Sequence, residues 1–169
     1  SLDLSNNMSI GAEGAKAIAD ALRVNGSLTS LDLRGNKLGD EGWCAIFDAL
    51  RNNAQNKIKE WNPYGQRINP TIAMSLAAYV AVSGSLTSLD LSSNTLCGLS
   101  PFPEGDTYTA EGIIKLCDAL KVNETLKELM CAAHPTPSRF GKCQQPLTLL
   151  SRPRLQPLGQ LPWSGGCQE

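Results

Sequence analysis

The sequence is poor in the residues that most reactions and most β-proteins need. It holds one histidine, His134, among 169 residues, which removes any two-histidine metal motif and leaves nucleophile–base pairs a single candidate base. Four valines and nine aromatic residues are too few β-branched and aromatic side chains for a sandwich or barrel. Neither sign of charge is in excess: 15 basic residues against 16 acidic ones give a net −1 and a pI near 5.8. The basic footprint that a phosphate backbone requires is missing, so nucleic acid is not expected as the main ligand. The longest apolar run, Ile72 to Val82, is interrupted by Ser75 and falls well short of the roughly 20 residues that cross a bilayer. It predicts a buried helix, and no membrane span is expected. The chain opens at Ser1 inside a strand-like pattern, without a charged-then-apolar leader, which predicts a fragment or a processed product.

What is abundant is leucine, 24 residues, and alanine, 16, and the leucines are periodic. The segment Gly26-Ser27-Leu28-Thr29-Ser30-Leu31-Asp32-Leu33 returns unchanged at Gly84 to Leu91, 58 residues later or two periods of 29. Extended, the copies read Leu28-x-x-Leu31-x-Leu33-x-x-Asn36-x-Leu38 and Leu86-x-x-Leu89-x-Leu91-x-x-Asn94-x-Leu96, with every fixed position of a leucine-rich repeat filled twice. Leu2, Leu4 and Asn7 fall in the same register. A degenerate copy starts at Ile58, with Trp61 and Pro63 in leucine slots, Gln66 in the asparagine slot and Ile68 in the next leucine slot. A last copy starts at Leu126 and Leu129, with Cys131 and His134 in the leucine and asparagine slots.

On these residues the chain resembles the leucine-rich repeat proteins, specifically the long-repeat subtype of ribonuclease inhibitor, over roughly residues 1 to 131. Glu13-Gly14, Glu41-Gly42 and Glu111-Gly112 open the Ala- and Leu-rich segments that this subtype folds as helices. The resemblance implies an α/β solenoid of about five repeats, a curved parallel sheet inside and helices outside. It also implies a non-catalytic protein–protein interaction scaffold. Two relatives of the same subtype imply other functions: a small-GTPase regulator resembling the GTPase-activating protein of Ran, or the ligand-sensing repeats of an immune-type receptor.

The residue pattern supports that architecture independently. Helices are predicted at about 14–22, 42–51, 71–82 and 111–122, with Ile18 and Leu22, Ile46 and Leu50, Leu76 and Val80, and Leu116 and Leu120 four apart on one face. Strand and helix recurring in each unit require parallel strands. Asn7, Asn36 and Asn94 are expected to face inward and form a ladder on backbone groups that the turn leaves unpaired. The Asn-x-Ser/Thr triplets at Asn7, Asn25 and Asn123 read as chance. Aligning Leu96 with Leu38 and Glu111 with Glu41 leaves a twelve-residue insertion at about 97–108. Residues 132–169 hold six of the ten prolines and four basic residues against Glu169 alone, a Pro-rich composition expected to be irregular or disordered.

Catalytic motifs fail one by one. Cys131-x-x-His134 with Cys143 and Cys167 lacks the paired knuckles of a zinc site. Gly141-Lys142-Cys143 lacks both the Ser/Thr and the upstream Gly of a phosphate loop. No cofactor and no metal is expected. Cys44, Cys117 and Cys131 occupy helix or leucine-slot positions as small apolar residues, and the six cysteines form no disulfide framework, which points to a reducing, cytoplasmic setting.

Alternation places one side chain of every other strand residue on the concave face. The candidate partner-binding residues there are Asp3, Asp32, Arg34, Glu60, Asn62, Tyr64, Asp90 and Met130. Asp3, Asp32 and Asp90 share a column broken by Asn62 and Met130, flanked by Glu60 and Glu128 and opposed by Arg34 alone. The partner expected is a protein with a basic segment, anchored at Tyr64 and Arg34. The strand at Leu2 to Leu4 presents an unpaired edge, so self-association through uncapped ends is expected as well.

Overall fold

The computed structural model describes residues 1–98 and 108–131. Five short strands alternate with four helices: β1 (Leu2–Asp3), α1 (Gly11–Val24), β2 (Leu31–Asp32), α2 (Gly39–Arg51), β3 (Glu60–Trp61), α3 (Pro70–Val82), β4 (Ser88–Asp90), α4 (Glu111–Val122) and β5 (Glu128–Met130). All pairings are parallel, β1 with β2, β3 with β4 and β4 with β5. Between β2 and β3 the ladder thins to a single bridge, Ser30 with Glu60, and the Lys59 N–H donating to the Thr29 carbonyl at 3.0 Å. A parallel neighbour requires a crossover, and each crossover here is one helix. The helices pack in chain order, α1 on α2, α2 on α3 and α3 on α4. Paired strand positions lie 28 to 30 residues apart as far as β4, then 40 apart between Ser88 and Glu128. That longer step matches the insertion expected at about 97–108, of which 99–107 lie outside the described residues. So do the Pro-rich segment 132–169, His134, Cys143 and Cys167.

The helices α1 and α2 begin three residues before their expected starts because nothing polar marks those ends. Ile10 and Leu38 precede them and make no side-chain cap. Helix α3 is the exception: Pro70 holds its first position and Asn69 Oδ1 accepts the Ile72 N–H at 3.0 Å, the pairing that suits a helix N-terminus. The Glu-Gly pairs have a packing reason. A Cβ on Gly42 would lie 2.7 Å from Ala15 Cβ, and one on Gly112 would lie 2.9 Å from Ala73 Cβ, so these glycines let neighbouring helices approach closely.

The core lies between strands and helices. Leu31, Leu33, Leu89 and Leu91 are buried from the strands, and Leu22, Ile46, Leu50, Leu76, Val80 and Leu116 from the helices. Ile18 and Leu120, expected on the same faces, are only partly buried. Leu2 is 42% exposed, because β1 has a neighbour on one side only among the described residues. The degenerate unit keeps its register by bulk. Trp61 is buried among Phe47, Tyr79 and Trp43, with ring centroids at 5.2, 6.1 and 6.4 Å. The buried Tyr79 hydroxyl accepts from Asn56 Nδ2 at 3.0 Å, and burial pushes the phenol pKa up.

Side-chain amides tie the turns together on both edges of the stack. On the strand-to-helix edge, Asn36 Nδ2 donates to Leu33 O at 2.8 Å and across to Leu4 O at 2.9 Å. Asn94 Nδ2 donates to Leu91 O at 3.1 Å and across to Pro63 O at 2.9 Å, while its Oδ1 accepts the Ile68 N–H at 2.9 Å. Asn7 departs from expectation. It is exposed rather than inward-facing and donates only within its own unit, to Leu4 O and Ser5 O, since no earlier turn offers it a carbonyl among the described residues. Gln66, one methylene longer, spends its amide on Tyr64 O at 3.0 Å. Asn36 Oδ1 is buried with no partner among the described residues. The first turn carries one extra residue, and the Ile10 N–H that would reach this oxygen goes to Asn7 O at 3.0 Å instead.

The helix-to-strand edge has a second ladder that the sequence reading missed. Asn53 Nδ2 donates back to Leu22 O at 2.7 Å and Asn25 O at 2.8 Å, and Asn123 Nδ2 to Val80 O at 2.7 Å and Ser83 O at 2.9 Å. The oxygens close local turns: Asn25 Oδ1 accepts from Leu28 N at 2.8 Å and Asn123 Oδ1 from Leu126 N at 2.7 Å. The asparagines of the triplets at Asn25 and Asn123 are therefore structural, and Thr125 shares the role, its hydroxyl donating to the Ser83 and Leu86 carbonyls at 3.0 Å each. The legible signal was an Asn within two residues of the end of α1, α2 and α4, at Asn25, Asn53 and Asn123.

Two stability predictions follow from this packing. Leu89→Ala should cost about 2–5 kcal/mol in chemical denaturation, as for other buried leucines, against about 1 kcal/mol or less for Thr87→Val. Equal losses would mean a different strand register. Asn123→Ala, which removes two buried amide hydrogen bonds and leaves the buried Leu126 N–H without its acceptor, should cost about 2 kcal/mol or more. Asn25→Ala removes only an exposed turn and should cost well under half of that in the same assay.

Candidate protein-interaction surface

The outward side chains of the strands form columns fixed by the register. Ser30, Glu60, Ser88 and Glu128 follow one another across β2 to β5. Two residues further along, Asp3 pairs with Asp32 and Asp90 with Met130, and Asn62 stands between Asp32 and Asp90 in the same row. The order of candidate residues is thus the one read from the sequence. Their local chemistry differs from that reading.

The aspartate column ends the strands. Asp3, Asp32, Asn62 and Asp90 each turn a side-chain oxygen onto the backbone N–H two residues ahead, at Ser5 (2.9 Å), Arg34 (2.9 Å), Tyr64 (3.1 Å) and Ser92 (2.9 Å). Asp and Asn are the residues that make this turn, so the column has a structural cause that mere copying of a unit does not supply. It is also less acidic in effect than the sequence suggests. Arg34 does not oppose the column at large. It clamps Asp32, with Nε 3.0 Å from each carboxylate oxygen and Nη2 2.6 Å from Oδ2. That contact holds the Asp32 carboxyl below its ordinary range and raises the guanidinium. The Ser5 N–H holds Asp3 down as well, against the opposing charge of Asp32. Glu60, Asp90 and Glu128 have no ion-pair partner among the described residues.

Two shallow hollows gather the candidates. One, of about 210 Å³, is lined by Asp32, Glu60, Asn62, Asp90 and Met130, with Ser30, Ser88 and the edges of Leu31 and Trp61. The other, of about 390 Å³, lies on the turns after β1 to β3 and brings Arg34 and Tyr64 together with Ser5, Asn6, Gly65 and Gln66. Asp3 lines neither. Tyr64 is 48% and Met130 47% exposed, large side chains displayed to solvent. Asn6 and Gln66 escaped the sequence reading because they sit in the turns, where alternation ends; Asn6 and Gly65 both take positive φ, 60° and 65°.

Among the described residues no group of histidine, cysteine, aspartate or glutamate could hold a metal ion, and no helix is long and apolar enough to cross a membrane. Cys44, Cys97, Cys117 and Cys131 carry free thiols. Burial pushes the Cys131 thiol up to about 11, which makes it inert at neutral pH. Cys117 is exposed, contrary to its expected place as a small apolar core residue, because it falls outside the face of α4 that buries Leu116 and Ala119.

The comparisons with known proteins agree with this geometry. Residues 1–19 and 24–46 match one Leucine Rich repeat profile, and residues 85–104 match a second. A solved structure of leiomodin-1 actin-binding site 2 superposes with a TM-score of 0.60 over 77% of this chain and 68% of that one, at 18% identity. That similarity shows the fold. No curated protein matches the sequence. Over the residues that the two profiles match, the chain is similar to leucine-rich repeats, and domains built of such repeats generally mediate protein–protein interaction and are typically non-catalytic.

A carboxyl held down by a partner in the fold stabilises the protein above its unfolded pKa and loses that contribution as the pH falls through the folded value. Arg34→Ala should therefore raise the Asp32 titration midpoint toward the ordinary carboxylate range in carboxyl-detected NMR, leaving Asp32 to titrate at higher pH than in the parent. An unmoved midpoint would show that the backbone N–H of residue 34, and not its guanidinium, sets the Asp32 pKa.

Proposed function

We propose that this protein is a non-catalytic interaction scaffold of the ribonuclease-inhibitor-like subtype, about five repeats long, that binds a protein partner on the concave face of its sheet. The observation that carries the reading is the pair of hollows on that face, which together take in Asp32, Arg34, Glu60, Asn62, Tyr64, Asp90 and Met130. The subtype is supported by the 28- to 30-residue step and by a full helix of 12 to 14 residues in each crossover. The partner presents a basic segment to β3–β5, where Glu60, Asp90 and Glu128 have no counter-ion among the described residues, and Tyr64 is its anchor; exposed aromatics dominate the energetics of such surfaces. Asp3 flanks the site through Asp32. The free thiols fit a cytoplasmic setting. The GTPase-regulator and immune-receptor readings draw on the subtype and on no particular residue of this chain.

Cross-linking of the full chain to cellular proteins, with mass-spectrometric identification, tests the reading. The triple variant Glu60→Gln, Asp90→Asn, Glu128→Gln should slow association and flatten its salt dependence, and Tyr64→Ala should speed dissociation. Glu13→Gln, on α1 away from the sheet, should change neither. A captured set indifferent to all the sheet-face variants would remove this face from consideration. Leiomodin-1's structure is named for an actin-binding site, so purified actin is the first defined protein to place in that assay.

A further inference from the structure

The outward face is divided by charge. Its β3–β5 half holds the uncompensated carboxylates of Glu60, Asp90 and Glu128. Its other half, at the turns after β2 and β3, holds Arg34, Lys37 and Arg67. Lys37 and Arg67 are exposed and have no carboxylate within 4.0 Å among the described residues. The 390 Å³ hollow lies on this second half.

Its walls include two donors, Arg34 and Tyr64. Arg34 spends Nε and Nη2 on Asp32, which fixes the plane of the guanidinium, and Nη1 has no partner among the described residues. The Tyr64 hydroxyl is likewise without a partner there, on a ring half exposed to solvent. The floor at Gly65 is bare, with no heavy atom within 4 Å of where a Cβ would stand. An arginine already held in plane offers its remaining edge to an incoming oxyanion with little further loss of side-chain entropy. Asp32 cancels much of the Arg34 charge, so Arg34 and Tyr64 supply the bond directions, and Lys37 and Arg67, on the same turns but outside the lining, add only diffuse positive charge.

We propose that this hollow receives a carboxylate side chain of a bound polypeptide, so that one partner segment sets cations over β3–β5 and an anion over the turns after β2 and β3. The proposal rests on the reading of this face as a polypeptide-binding surface and adds the order of charge along the partner. Such an arrangement fixes direction as well as position, because the reversed segment meets like charge at both ends.

The test uses the intact protein, nitrogen-15 labelled, titrated separately with capped tetraglutamate and capped tetralysine peptides. Tetraglutamate should shift the amide signals of Asn6, Gly35, Gly65 and Gln66, and tetralysine those of Glu60, Ser88, Asp90 and Glu128. Arg34→Ala and Tyr64→Phe should each weaken tetraglutamate by about fivefold, the loss of one hydrogen bond to a charged group. Asp32→Asn, which returns the charge of Arg34, should tighten it. Lys115→Ala, on α4, removes the same charge away from the sheet and should stay within about twofold of the parent, as for exposed charges. The dispersion of each variant's spectrum reports whether it has folded, and Tyr64→Phe retains the ring should Arg34→Ala fail. Tetraglutamate shifts scattered over the basic surface, or equal weakening by Lys115→Ala, would overturn the proposal. Loss of the tetraglutamate response alone overturns it and leaves the binding of a basic segment standing. Loss of the tetralysine response alone overturns the binding of a basic segment and with it the proposed order of charge, and leaves only a carboxylate site in the hollow.

Discussion

A side-chain amide reaching from one turn to the carbonyl of the turn before it is the bond on which the stacking of this chain depends. Strands only two or three residues long offer few backbone hydrogen bonds, and between β2 and β3 the pairing falls to one bridge. The turns on either side leave carbonyls pointing along the stack, and a buried carbonyl without a donor costs about 1–3 kcal/mol. Asn36 and Asn94 meet that need on one edge and Asn53 and Asn123 on the other. Leucines fill the space between, but leucine packing alone tolerates sliding. The amides set each unit against its neighbour at one height.

The same economy shapes the outward face. One column of side chains, Asp3, Asp32, Asn62 and Asp90, is committed to closing the strand ends. It is nearly invariant down the stack because few side chains can make that turn. The columns on either side of it carry no such duty. One runs Ser30, Glu60, Ser88, Glu128, and the other Ser5, Arg34, Tyr64, Ser92. Apart from Met130, which ends the middle column on β5, variation falls in these two, so most of the specificity for a partner has to be written there. The hollows follow this division, with Glu60 lining one and Arg34 and Tyr64 the other.

The degenerate third unit shows how far the pattern can drift while the geometry holds. Leucine slots taken by Trp61 and Pro63 are both still buried. The extra volume of Trp61 is absorbed by Trp43, Phe47 and Tyr79, which form one aromatic cluster across α2, β3 and α3. Tyr79 adds a polar end that must be satisfied at depth, and Asn56 satisfies it. Protein interiors are close-packed, so a large side chain in one unit demands accommodating neighbours in the next. The aromatics gathered at this point meet that demand.

Sequence alone determined the existence and order of strands and helices, the inward leucines and the outward rows. Each of these depends on a local period, 2 in a strand and 3.6 in a helix, which any copy of the unit carries with it. It also determined that Asn36 and Asn94 act on the turns. Only the tertiary structure decided which groups meet across units. The Arg34 fork closes on Asp32 rather than facing the whole column, and Asn7 stays exposed where Asn36 is buried. Asn53 and Asn123 become rungs while Asn25 closes only its own turn, and Asn36 Oδ1 is left alone because one extra residue in the first turn redirects the Ile10 N–H. These outcomes depend on the lateral offset between neighbouring turns and on how many carbonyls already have donors. No single unit contains that information, because it arises only when two units lie side by side.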